Sequence, residues 1–113
     1  MCVHTKKEPS FVKVDLEEEY EISEVKVAGR ADDCGGFFNC KEQTQGWVVR
    51  VGNSGTETDM VCKSNIDAFG GKLVSIKCDT KLSGRYVTVN HNTWIVLCEI
   101  EVYQKECKSR IEY

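Results

Sequence analysis

The residues able to do chemistry in this chain are a set of hydrogen-bonding side chains near an aromatic pair, and seven scattered cysteines. Arg30 and Asp32 stand one residue apart, a unit in which the carboxylate can hold the guanidinium while its forked N–H groups face a ligand. His4, separated from Arg30 by residues 5–29, can donate or accept a hydrogen bond. Phe37 and Phe38 offer an apolar platform, and Lys41 is the nearby cation beyond them. Such a set suits a ligand with many hydroxyls and one apolar patch, held without bond making or breaking. The same types also allow a plainer arrangement. An Arg-x-Asp at a strand end is commonly a surface ion pair contributing about 0–1 kcal/mol, and a His near a terminus is commonly just solvated.

Catalysis would need a tighter constellation. Cys98 with His91, or Asp32 with Asp33, are the pairs available, but no nucleophile elbow, phosphate loop or metal-ligand spacing accompanies either. The expectation is that the chain is not an enzyme. The cysteines show no CxxC pair, and Cys2-x-His4 is the one close ligand pair, so zinc signatures are absent. Seven cysteines in 113 residues is high for a reduced cytosolic protein. We expect an exported, oxidised protein whose leader is not part of this chain. An odd count leaves at least one thiol without an intrachain partner, and Cys107 is the natural candidate.

The elements that position these residues read as strands. Val12, Val14 and Leu16 alternate with Lys13 and Asp15; Val25 and Val27 alternate again, with Ile22 out of parity, which predicts a bulge near Ser23 or Glu24. Trp47, Val49 and Val51 share a face and run into the turn residues Gly52, Asn53, Ser54 and Gly55. Val74, Ile76 and Cys78 form another set, Val87 and Val89 follow a turn at Ser83-Gly84, and Val96, Cys98, Ile100 and Val102 share the last face. Residues 64–69 suit a single helical turn. Short strands between Gly-marked turns predict an antiparallel β-sandwich or barrel, all-β, with function on the loops at its ends.

Length and composition bound the rest. One domain fits residues 1–113, with its core over about 2–103 and a polar C-terminal tail at 104–113. Hydrophobic residues at 41% and charged residues at 29% belong to a folding chain. A net charge of −3 gives no basic footprint for nucleic acid, and apolar runs such as 47–49 and 94–98 are far too short for membrane insertion as a spanning helix.

Five segments in order carry a resemblance: F-V-K-V-D-L (11–16), Y-E-I-S-E-V-K-V-A-G-R-A-D (20–32), W-V-V-R-V-G (47–52), G-R-Y-V-T-V (84–89) and L-C-E-I-E-V-Y (97–103). The chain resembles the F-type lectins, the fucolectin family related to coagulation-factor 5/8 type C (discoidin) domains. The resemblance implies a jelly-roll sandwich that recognises L-fucose-containing or similar glycans in a shallow end pocket. His4, Arg30 and Asp32 fall where its sugar motif wants them. The second basic residue of that motif would stand at position 37, where this chain has Phe37 inside the segment 34–40. The resemblance further implies disulfides Cys62–Cys78 and Cys2–Cys98, after which Cys34–Cys40 closes a short loop. It also implies a structural calcium ion with ligands at Glu99 and at the backbone of Cys98. The chain starts about 30 residues into a family domain, so much of the other half of that calcium site falls outside it. The same shortening would leave a sheet edge open, so a homo-oligomer through that edge or through Cys107 is a further expectation. The alternative function is a discoidin-like protein or ligand interaction module that has lost sugar binding. Peptide mapping without reduction is expected to find the three bridges with Cys107 unpaired, and any intrachain bridge containing Cys107 would overturn this assignment.

Overall fold

The computed structural model describes residues 3–5, 10–29, 44–70, 72–92, 95–105 and 111, with the backbone alone at Val3, His4 and Asp79. Among the described residues six strands follow one another: β1 (Val3–His4), β2 (Ser10–Gly29), β3 (Gln45–Gly52), β4 (Met60–Asp67), β5 (Val74–His91) and β6 (Val96–Gln104). They form one antiparallel sheet in the order β1-β6-β2-β5-β3-β4. No described residue is helical.

A single sheet makes a sandwich here because its two longest strands bend. The first part of β2 pairs with the last part of β5, Ser10 opposite His91, and the second part of β2 pairs with the first part of β5, Val27 opposite Val74. Between them the register shifts from Asp15 to Tyr20, where Glu17 takes a positive φ of 71°. The sheet therefore closes on itself. Leu16, Val49 and Val87 from one half and Val25, Val27, Ile76 and Val102 from the other meet in the same core, each 2% exposed or less. Trp47 at 0% is the largest fully buried side chain among the described residues.

Most of the expected parity holds. Trp47, Val49 and Val51 all face inward, and the bulge expected near Ser23 appears as a register shift between Ile22 and Glu24 in both ladders of β2. Four expectations are corrected. Residues 64–69 are not a helical turn: they continue the edge strand β4, in which Cys62 and Ile66 point inward, and then turn. Ser83-Gly84 does not open a strand but lies within β5, paired with Glu21 and Tyr20. Gly84 serves close approach there, since a Cβ would sit 2.5 Å from the backbone N of Gly52. The face of β6 breaks at Cys98, where the pairing steps from Glu99 to Leu97 against Ala28 and Gly29. Leu97 consequently joins the core beside Ile100 and Val102 although its parity is opposite. Finally, Ile111, inside the segment taken as polar tail, is 4% exposed in the core and donates its N–H to the Val102 carbonyl at 2.8 Å.

The bridge Cys62–Cys78 ties β4 to β5, as the resemblance implied. Cys98 is also disulfide-bonded. Cys2, Cys34, Cys40 and Cys107 lie outside the described residues.

Ionic and amide groups fasten the bend. Arg85 donates from Nε and Nη2 to the two carboxylate oxygens of Asp15 at 2.7 and 2.8 Å, while the Glu17 amide donates to the same carboxylate at 2.8 Å. The Arg85 hydrogen bond, and then that of the Glu17 amide, lower the Asp15 pKa from 3.8 to about 2. A folded value below the unfolded one means that this pairing stabilises fully above about pH 4 and is lost as the pH falls through about 2. A carboxyl NMR titration should place the Asp15 midpoint at about 2. In Arg85→Ala it should rise toward the ordinary value, and an unmoved midpoint would show that Arg85 does not hold this carboxylate.

Candidate functional site

The strand end that carries the expected sugar motif is built around the start of β6. On one side of that strand Val3 lies opposite Leu97 and His4 opposite Val96; on the other, Gly29 lies opposite Leu97. His4 and the residue preceding Arg30 therefore flank adjacent positions of one strand, about 10 Å apart at two interstrand steps. The β1 side is pinned by Thr5, whose N–H donates to the Ile95 carbonyl at 3.1 Å and whose Oγ1 accepts from the Ile95 N–H at 2.7 Å.

The β2 side is pinned across the sandwich. The Gly29 N–H donates to the Ala68 carbonyl at 2.8 Å, and the Ala68 N–H donates to the Thr44 carbonyl at 2.7 Å. This chain of bonds joins the end of β2 to the residues that follow β4 and precede β3. Gly29 has no room for a side chain: a Cβ would overlap the Thr44 side chain and come within 2.9 Å of the Ala68 carbonyl. That Gly precedes Arg30 is thus a packing requirement of the site's scaffold.

Arg30, Asp32, Phe37, Phe38 and Lys41 lie outside the described residues, as does the side chain of His4. Glu99 is exposed on β6 beside the oxidised Cys98. One carboxylate and one carbonyl fall well short of the six to eight oxygens that calcium takes, and no group of three His, Cys, Asp or Glu able to hold a metal occurs among the described residues. The catalytic pair of Cys98 with His91 has no chemical basis, because a disulfide-bonded sulfur is not a thiolate nucleophile.

A second concave region was missed from sequence. On the outer face of β2, β3 and β5 lies a cavity of about 320 Å³ lined by Ser10, Phe11, Gly46, Val48, Arg50, Glu57, Asn90, His91 and Asn92. Two signals for it were present: Phe11 is a large aromatic at an outward position of its strand, and Arg50 stands on the outward face of β3, opposite the apolar series of Trp47, Val49 and Val51.

This strand-end geometry sits on a fold with known relatives. The family model described as the NedA-like, galactose-binding domain of the F5/F8 type C group matches residues 1–89. The chain belongs to that family. It is 33% identical over 107 residues to Fucolectin-3 of Anguilla japonica, a match covering 89% of this chain and 56% of the eel protein. The crystal structure of the f-lectin (fucolectin) from serum of the striped bass Morone saxatilis matches at TM-score 0.75 and 28% identity, over 91% of this chain and 36% of that one. A fucose binding module of Streptococcus pneumoniae, at TM-score 0.64 and 20% identity over 93% of this chain and 73% of its own, shares the fold. The chain spans about half the length of the curated relatives it matches. The jelly-roll architecture expected from its sequence is the one observed.

Gly29→Ala should be destabilising by about 1–3 kcal/mol, the usual range for overpacking a tight core. Urea unfolding will measure it. Stability equal to the parent's would show that Thr44 and Ala68 do not clamp the strand end.

Proposed function

We propose that this chain is a glycan-binding module that recognises L-fucose-containing or similar sugars at the strand end bearing His4 and Arg30, without catalysing a reaction. The observation that carries the proposal is the pairing of His4 and Gly29 with neighbouring residues of β6, which brings His4 and the residue before Arg30 to one end of the sandwich. The names of the eel and bass relatives support the ligand class. In this reading Arg30 donates its forked N–H groups to sugar oxygens, Asp32 holds the guanidinium, and His4 supplies a further donor or acceptor. Phe37 or Phe38 stacks on the apolar side of the ring, and Lys41, four residues beyond Phe37, is the nearby basic group that substitutes only in part for the second cation.

Two further parts of the proposal concern compartment and calcium. The bridge Cys62–Cys78 and the oxidised Cys98 suit an extracellular protein, the compartment in which disulfides persist. Calcium held by Glu99 and the Cys98 carbonyl would draw its other oxygens from outside the described residues. Its mark would be a rise in Tm on adding calcium that a chelator reverses.

Arg30→Ala should abolish glycan binding without unfolding the protein, because no neighbour can replace a forked donor. With Phe37 in place of a cation, the pocket lacks one charge-assisted hydrogen bond. Free L-fucose should then bind about ten- to a hundredfold more weakly than to a full motif. Phe37→Arg should recover part of that loss. Calorimetry with fucose and galactose on the three proteins decides the matter; unchanged affinity in Arg30→Ala would place the site elsewhere.

A further inference from the structure

We propose that the cavity on the outer face of β2, β5 and β3, which adjoins the strand end but is lined by other residues, is a second binding site for a neutral pyranose saccharide. Its floor is a row of three cross-strand neighbours. Phe11 and Val48 both lie opposite Asn90, one on each side of β5. Across two interstrand steps the row spans about 10 Å. Phe11 is 49% exposed, so the row offers an aromatic surface flanked by a polar centre and an aliphatic edge.

The polar groups are set in fixed directions. Arg50 donates Nε to Asn90 Oδ1 at 3.3 Å, which leaves the two terminal amino groups of the guanidinium and the Asn90 amide N–H₂ as donors. Glu57 reaches the cavity from the loop 53–59 and supplies acceptors. A hydroxyl-rich ring has one face of C–H groups that suits Phe11 and a rim of groups that both donate and accept, which suits this arrangement.

Charge selects among ligands. Arg50 and Glu57 line the same cavity, so an anionic ligand meets the carboxylate and a cationic one meets the guanidinium; a neutral ligand meets no such cost. Rigidity favours binding too, because Phe11, Val48, Arg50 and Asn90 stand on paired strands. Thr88, on the same face and opposite Arg50, keeps a buried hydroxyl that has no hydrogen-bond partner among the described residues.

The site stands on its own residues and does not depend on sugar binding at the strand end. The test is a backbone-amide NMR titration of the whole chain with the methyl glycosides of galactose, mannose and fucose, and with N-acetylneuraminic acid as the anionic arm. Parent, Arg30→Ala, Phe11→Ala and Arg50→Ala proteins are compared. Saturable shifts at Val48, Arg50 and Asn90 are expected with at least one neutral glycoside, persisting in Arg30→Ala and weakening at least about tenfold in Phe11→Ala and Arg50→Ala. Absence of these shifts in the parent, equal affinity in both groove variants, or stronger binding of the anionic sugar would overturn the proposal. Failure of the strand-end reading is distinguishable, since it shows as shifts near Gly29 and Val96 that Arg30→Ala leaves unchanged.

Discussion

The ladder between β2 and β5 runs from Ser10 opposite His91 to Val27 opposite Val74; β6 and β3 pair directly with its two members, and β1 and β4 are attached through those. β6 pairs with β2 and β3 with β5, so neither half of the sandwich has a frame of its own. Both strands cross the same bend, and the apolar faces on either side of it must therefore meet. The ionic clasp of Asp15 with Arg85, and the hydrogen bond from the Asn53 side chain to Glu19 at 2.9 Å, lie at this bend. They fix where the sheet turns, while burial of Trp47 and its neighbours supplies the driving force.

The bend also explains why both candidate sites stand where they do. β2 starts and ends at the same end of the sandwich, so Ser10 and Gly29 come to one side although they are separated by the whole strand. The start of β6 sits beside Gly29, and the bulge at Cys98 shifts Leu97 inward to cover the core there. The strand end is thus rigid up to the last residue before Arg30. The outer cavity owes its place to the same ladder, which puts Phe11, Asn90 and Val48 in a line across three strands.

Period-two patterning made the strands around Trp47, Val87 and Val12 legible from sequence, because each buries one face and wets the other. The bulge near Ser23 was legible for the same reason, as a break in parity. What escaped was set by tertiary pairing. β4 buries Cys62 and Ile66 alone and carries positive-φ Asn65, so its alternation is too sparse to read as a strand. Gly84 has the composition of a turn, yet it is there because the backbone of Gly52 passes over it. Of the motif, the spacing between His4 and Arg30 was visible as a number, whereas the strand that takes His4 on one side and Gly29 on the other, β6, lies at the far end of the chain.

That arrangement sets the order in which the chain can fold. The hairpin of β3 and β4 joins positions as near as Val51 and Met60, but the nearest pair in the central ladder, Val27 and Val74, is 74 − 27 = 47 residues apart. Loops of that length make pairing slow, in the millisecond-to-second range of all-β domains. During synthesis at about 5–20 residues per second, β2 waits roughly 2–9 s with both edges bare before β5 even begins to emerge. A bare strand of 20 residues invites association with other chains. Its run Glu17-Glu18-Glu19, with Lys13, Asp15, Glu21, Glu24 and Lys26 around it, keeps the strand charged while it waits. The acidic bend that shapes the finished sandwich is thereby also the guard of its unfinished one.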